Sequence, residues 1–391
     1  MRIAFYAPMK PPDHPNPSGD RRMARSIMAA LAAAGHEVTL ASRFRAYDGE
    51  GDTEQQAALE AEGRAEADRL VAKWRADPTT DRPEAWLTYH LYHKAPDWLG
   101  PAVAAAFDIP YVIVEASYAR KQARGPWARN LAATAQAIAR ADVVLSITPE
   151  DESVIATLVG GTTTLRRLPP FLDTAPFEAA RRYRGEVRER LAAEHRLDAT
   201  KPWLVAVGMM RPGDKLASYR LLGRSLWLIA EPGFQLLAIG DGEARPLVHE
   251  ALDPLGEGLT AWLGRQDEDD MPKLLAACDL CVWPAYNEAY GMALLEAQAA
   301  GLPVIAGGFR GVPEIVADGE TGVLIEPWND AAFAEAAVTL CQDSTTRASL
   351  SKKARAKVAD QHSLAAAAQI LDQALGEAMS RKQRAADMAA T

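Results

Sequence analysis

Arg2-Ile-Ala-Phe-Tyr-Ala7 is a short, nearly unbroken apolar run, and the forty residues around it decide the fold. A run of that length and composition reads as a strand buried on both faces. A loop with five prolines follows, Pro8, Pro11, Pro12, Pro15 and Pro17, and it ends at Ser18-Gly19-Asp20. Met23, Ile27, Met28 and Leu31 then recur near a 3.6-residue period, which predicts a helix over 21–34. Gly35 stops that helix, and 38–41 is the next strand. Strand, loop, helix and strand in this order make a βαβ unit, and βαβ units build parallel sheets.

The same alternation runs outward along the chain. Strands are expected at 86–89, 111–115 and 143–147, and helices at 99–107 and 127–140. The Ala/Glu/Arg-rich stretch 50–77 reads as one or more exposed helices. Residues 169–176, Pro-Pro-Phe-Leu-Asp-Thr-Ala-Pro, form a stiff connector, and a basic helix is expected over 177–195. A second alternation starts at 203–207 and continues with strands at 234–239, 280–283, 304–306 and 323–325. The tail is expected to be helical from about 363 to 380 and frayed over the last ten or so residues. At 391 residues the chain is too long for one ordinary core. The expected fold class is α/β, with two facing Rossmann-like doubly wound domains and a ligand cleft between the carboxyl ends of their sheets. The expected boundaries are 1–172, a linker and basic helix at 173–199, a second domain at 200–362, and a tail at 363–391 that could pack back on the first domain.

A net charge of −9 argues against a general nucleic-acid binder. Two basic clusters stand out, Arg120-Lys121-Arg124-Arg129 and Arg181-Arg182-Arg184-Arg188-Arg190. They could touch an anionic membrane surface as a weak peripheral contact, or be solvated helix faces. No run approaches the roughly 18 apolar residues that span a bilayer, and no secretory signal is expected at a start followed at once by prolines. Cys278, Cys281 and Cys341 imply no disulfide framework, so a cytoplasmic chain is expected. Cys278 and Cys281 form a C-x-x-C with no second Cys or His pair nearby. They read as core cysteines, and no metal site is expected.

Chemistry concentrates in the second half. In Asn287-Glu-Ala-Tyr-Gly-Met-Ala-Leu-Leu-Glu296, two carboxylates stand eight positions apart around Tyr290-Gly291, where an apolar helical stretch begins. The backbone N–H groups of Gly291, Met292 and Ala293 at such a start attract phosphate, and Glu288 and Glu296 can accept from hydroxyls. Eight residues of helical rise would span roughly 12 Å. The combination suits a sugar attached to a nucleoside diphosphate. An acid such as Glu296 on an otherwise apolar face is costly unless it has a task. Val207-Gly208-Met209-Met210-Arg211-Pro-Gly-Asp-Lys215 follows a strand end and offers two cations for the diphosphate. Gly240-Asp-Gly242 is not a dinucleotide fingerprint, no G-x-G-x-x-G follows the first strand, and G-x-x-x-x-G-K-[ST] is absent. These absences count against a dehydrogenase and a nucleoside triphosphatase.

The E-x7-E element, followed by Gly301-Leu-Pro-Val304 and Gly311-Val-Pro-Glu314, resembles the GT-B glycosyltransferases of the retaining family 4 group, the glycosyl transferases group 1. The resemblance is strongest over about 200–330 and weaker at the first strand, loop and helix and at Gly35-His36-Glu37-Val38. It implies a C-terminal donor domain and an N-terminal acceptor-side domain. It implies that Glu296 binds the ribose, that Glu288 holds hydroxyls of the donor sugar, and that Arg211 and Lys215 neutralise the departing diphosphate. No metal or cofactor beyond the nucleotide-sugar co-substrate is then required. Gly19, Gly208, Gly240 and Tyr290 would line the donor pocket, and Leu263-Gly264-Arg265 would pack on the base; Glu314 would tie its own loop. Many members of that family carry a histidine at the strand end where this chain has Glu115. Glu115 could stabilise an oxocarbenium-like transition state, orient the acceptor, or simply make local hydrogen bonds at a strand end. His90 and His93 are acceptor-side candidates, or satisfied histidines. The resemblance implies a hexosyltransferase that retains anomeric configuration and acts on a lipid-linked or envelope glycan, with a small soluble acceptor equally compatible. The altered position 115 leaves a second reading, a catalytically inactive nucleotide-sugar-binding or partner protein of the same fold.

Overall fold

The structure is a computed structural model that describes residues 1–16, 18–76, 82–160 and 163–390; Pro17 of the proline-rich loop lies outside them. The chain divides into two units, Met1–Pro169 with Leu364–Thr391, and Pro170–Ser363. The first unit holds β1 (Arg2–Tyr6), β2 (Glu37–Leu40), β3 (Ala85–Leu91), β4 (Tyr111–Ala116), β5 (Val143–Ser146) and β6 (Thr164–Arg167) in the order β2-β1-β3-β4-β5-β6. The second holds β7 (Trp203–Val207), β8 (Gln235–Ile239), β9 (Thr260–Gly264), β10 (Leu280–Trp283), β11 (Val304–Gly307) and β12 (Gly322–Ile325) in the order β12-β11-β10-β7-β8-β9. All pairings between these strands are parallel.

Both orders are doubly wound, and each has a place where the winding reverses: β1/β3 in the first sheet and β7/β10 in the second. Ligands of open α/β sheets bind outside the carboxyl ends of the strands at that reversal. Burial explains why the central strands read so plainly as apolar runs. Every residue of β4, β5, β8, β10 and β11 is buried, because helices cover both faces. The edge strand β2 instead alternates exposed and half-buried positions. Two further edge strands were not among those expected. β6, Thr-Leu-Arg-Arg, and β9, Thr-Ala-Trp-Leu-Gly, are at most partly buried at all but one position, so neither shows an apolar run.

The first helix spans Gly19–Ala33, starting two residues earlier than its apolar period suggests, because the Ser18 hydroxyl accepts from the Arg21 N–H and caps it. Behind β3 and β4 a buried carboxylate organises the core. Asp97 accepts from Thr88 Oγ1 (2.5 Å), Tyr111 Oη (2.8 Å) and the N–H groups of Leu99 and Gly100 (2.9 and 2.8 Å). A Cβ on Gly100 would stand 2.3 Å from that carboxylate, so only glycine leaves room for the cap.

The tail helix runs from Leu364 to Ala390, longer than expected. Its buried stripe, Ala367, Leu371, Ala374, Leu375 and Ala378, belongs to the first unit's core. Polar ties reinforce it: Glu377 to Arg166 (2.5 Å), Asp372 to His36 Nε2 (3.2 Å) and Lys382 to Asp108 (3.1 Å). The basic stretch 177–195 lies in the second unit and is not one helix. It breaks into Ala175–Ala180, a 3-10 turn at Arg181–Tyr183, and Arg184–His195. Neither is it a wholly solvated face. Arg184 and Arg188 pair with Asp279 (2.6 and 3.0 Å), donate to carbonyls at the end of Met271–Ala277, and Arg188 stacks 4.1 Å from the Trp203 ring centroid. Cys278 and Cys281 are fully buried, and burial pushes the Cys278 thiol up to about 12, as inert core cysteines require. No described helix is long and apolar enough to cross a membrane.

Candidate functional site

At the β7/β10 reversal the loops after β7 and β8 are zipped together by backbone bonds. Gly208 N–H donates to Ile239 O, Met210 N–H to Asp241 O, and Ala244 N–H to Met210 O, at 2.8–3.0 Å. The approach is so close that a Cβ on Gly240 would lie 1.9 Å from the Gly208 oxygen, and Gly240 sits at φ +146°. A Cβ on Gly208 would meet the Trp283 ring at 2.8 Å. Gly240 is therefore demanded by the packing of the loops on one another, and Gly208 by the Trp283 ring at the end of β10. Arg211 stands exposed at the tip that this zipper supports. Gly213, at φ +84°, turns the chain into the helix Asp214–Trp227, and Lys215 lies in its first turn.

The loop after β10 reaches the same place. Ala285 and Asn287 are in the left-handed region (φ +55° and +51°), which costs non-glycine residues energy and marks functional loops. The loop is held by Tyr286 N–H to Ser218 Oγ (2.9 Å) and Asn287 Nδ2 to Asp214 Oδ2 (2.9 Å), both on the helix that carries Lys215. Glu288 thereby meets Lys215 in a close ion pair, with the ammonium 5.5 Å from the Trp283 ring centroid. Gly291 (φ +73°) starts the helix Met292–Ala300, and no side chain caps that start. Its first N–H groups, at Met292 and Ala293, are left for another acceptor. Glu296 lies inside this helix and is buried. Glu288 precedes the helix, so the eight-position spacing is not a helical span. Only the stretch from Met292 to Glu296 rises as a helix, by about 6 Å.

Arg265 is exposed just beyond β9, after Gly264 (φ +65°), whose carbonyl accepts the Gly240 N–H (2.9 Å). Beside it Trp262 stacks on His249 with centroids 3.7 Å apart. Glu314 lies within the short helix Val312–Ile315, and its carbonyl accepts from Lys357 (2.6 Å).

The β1/β3 reversal of the first unit carries different chemistry. His90, at the end of β3, pairs through Nδ1 with the Asp20 carboxylate as acceptor (2.9 Å) and faces Glu115 across 3.9 Å from Nε2. Both His90 and Glu115 are left-handed (φ +60° and +61°), so each strand end turns sharply to deliver its side chain. Burial alone would lower the His90 pKa, but Glu115 and Asp20 outweigh it, and with Asp151 they raise it above the ordinary histidine value. Burial likewise opposes the charge on Asp20, yet the bond with His90 holds its carboxyl below the usual range. Asp151 accepts from Ser117 Oγ (3.0 Å) and Thr148 Oγ1 (2.8 Å). His93 is outside this group. Its ring packs edge-on to Trp127, and burial with Lys94 and Lys121 lowers its pKa. Gly19 is the exposed first residue of its helix, and a Cβ there would meet nothing within 4 Å. The roles of Asp20, Asp151 and Asp214 are not legible in the sequence. Each sits in the first turn of a helix that follows a strand, a position whose charge preference was its one visible signal.

Residues 187–357 match the family described as Glycosyl transferases group 1. That match lies within the second unit. Among curated glycosyl transferases the chain is 34% identical over 144 residues to D-inositol 3-phosphate glycosyltransferase of Corynebacterium aurimucosum, covering 37% of this chain and 34% of that one. It is 32% identical over 135 residues to N-acetyl-alpha-D-glucosaminyl L-malate synthase of Bacillus anthracis, covering 34% and 35%. The matches thus span about a third of those relatives' length. Similarity in fold reaches further. HepE of Anabaena in complex with UDP superposes with a TM-score of 0.70 at 17% identity, over 96% of this chain and 100% of that one. A glycosyltransferase from Rickettsia africae gives 0.72 at 14%, over 97% and 98%. The α/β architecture expected of a GT-B chain, with two parallel six-stranded sheets, is the one found.

Proposed function

We propose that this chain is a retaining glycosyltransferase that moves a sugar from a nucleoside diphosphate to a hydroxyl of an acceptor. The observation that carries the reading is the Lys215–Glu288 pair, held beside an uncapped helix start at the β7/β10 reversal. Arg211, Lys215 and the N–H groups of Met292 and Ala293 would take the diphosphate, Glu288 the sugar hydroxyls and Glu296 the ribose. Charge on the leaving diphosphate is then met by oriented cations and dipoles already in place, so we propose a metal-independent reaction. A phosphate oxygen of the donor can take the acceptor proton on the face from which it leaves, and configuration is kept.

The acceptor names of the matched relatives, inositol 3-phosphate and malate, are anionic. Asp20, Glu115 and Asp151 at the β1/β3 reversal oppose such an acceptor. They favour a neutral, hydroxyl-rich one, a glycan or a lipid-linked glycan, with hydroxyls donating to the carboxylates. UDP-sugars are the first donors to test. Incubation with UDP-glucose and related donors should release UDP slowly in water and faster with an acceptor, and NMR of the product should show the donor's anomeric configuration. Nucleotide binding with no release under any condition would instead support an inactive binding protein of this fold.

A further inference from the structure

The second unit has a cavity of about 350 Å³ at the opposite edge of its sheet, where β10 and β11 begin. It lies along one face of the helix Ser344–Gln361, whose Ser344, Arg347, Ser351 and Arg355 follow a helical stripe about 16 Å long. Arg181 and Arg184 form the facing wall. Four guanidiniums thus meet one carboxylate, Asp279, which is already engaged by Arg184, Arg188 and the Trp203 N–H. Arg184 and Arg347 are further tied to helix-terminal carbonyls. Arg181 and Arg355 are not so engaged. Neither has a carboxylate partner among the described residues, and Arg355 donates to Ser351 Oγ alone (2.6 Å). Burial, and then the charge of Arg181, both act against the Arg355 cation and lower its pKa. Gly301 at φ +89° leaves the space this arginine uses, since a Cβ there would stand 2.6 Å from its Nη1.

Holding two guanidiniums near each other in a half-buried cavity without an anion is unfavourable, and a planar fork is the side chain best matched to phosphate oxygens. We infer that this cavity binds a phosphate group through Arg181 and Arg355, with Ser344 and Ser351 as hydroxyl partners. The distance from the Lys215–Glu288 pair is at least the length of β10, on the order of 13 Å, so the site is separate from the one that would hold a donor.

Isothermal titration of the full chain with inorganic pyrophosphate tests this, in parallel with Arg211→Ala to report binding at the β7 loop. Arg181→Gln and Arg355→Gln should each weaken binding by about tenfold or more. Arg181 is exposed, so its variant folds even if Arg355→Gln does not. Vesicles of phosphatidylglycerol and of phosphatidylcholine, sedimented with the same proteins, separate the sources. Vesicle binding that is lost in Arg181→Gln assigns the phosphate to a lipid headgroup, and pyrophosphate binding alone assigns it to a soluble molecule. An isotherm weakened by Arg211→Ala but untouched by the other two variants overturns the inference, as does no binding of either probe.

Discussion

The two sheets reverse their winding in the same manner but arm the reversal oppositely. The first unit sets three carboxylates, Asp20, Glu115 and Asp151, about a single imidazole. The second sets Arg211, Lys215 and an uncapped helix start beside Glu288, which is paired with Lys215. A phosphate is repelled by the first arrangement and attracted by the second, while hydroxyls suit the first. The difference teaches that the doubly wound fold supplies a place, and that the residues at the strand ends decide what the place can bind.

The sharpest way to break this contrast is Arg211→Ala. Losing a preorganised cation at the leaving group should lower turnover by about 10²–10³-fold, with a much smaller change in donor affinity, as steady-state kinetics would read. Unchanged turnover would mean the second reversal holds no departing phosphate. Next in size is a pair of glycines. Gly240→Ala should destabilise the chain by about 3 kcal/mol, since the new Cβ meets the Gly208 carbonyl at 1.9 Å. Gly19→Ala has open space and should stay within about 1 kcal/mol of wild type. Urea unfolding compares them, and an equal cost at both would erase the distinction between a packed and an open strand end. Glu296→Gln should weaken UDP binding by about tenfold, a loss of roughly 1.4 kcal/mol, while His90→Gln should leave UDP affinity unchanged by the same titration. A reversal of those two results would move the nucleotide to the first unit.

The smallest effect is one of pH. His90 has a raised pKa, so its contribution to stability is complete below the free-histidine value of about 6.5 and fades as pH rises through the higher folded value. Asp20 is lowered, so its share is present above the free-carboxyl value and is lost as pH falls through the lower folded one. Wild type should therefore lose some of its stability margin over His90→Gln between pH 6 and pH 9. A margin constant across that range would show that folding leaves the histidine's pKa unshifted.

The same contrast explains what could be read from residues alone. Central strands are buried on both faces, so apolar runs such as Trp203–Val207 announced them, whereas β6 and β9 are edges whose polar residues hid them. Arg211, Lys215, Glu288 and Glu296, the core of the proposed donor site, lie within about eighty-five positions on two loops and the helices that follow them, close enough for spacing to carry meaning. The Asp20–His90–Glu115 group draws on three loops that only the sheet order brings together, and nothing in the spacing of 20, 90 and 115 signals it. Arg184 and Arg188 looked like a charge run because their partner, Asp279, is some ninety positions away.

The tail helix has a consequence for how the molecule is made. Residues 364–390 complete the first unit, yet they leave the ribosome after the whole of the second. Where the chain enters and leaves the second unit, the two passages are clasped, Leu172 N–H to His362 O (3.0 Å) and His362 Nδ1 to Pro170 O (2.7 Å). A nascent first unit must therefore wait with its Ala/Leu-lined groove bare until the whole second unit has been made, and that interval is when a chaperone would have most to shield.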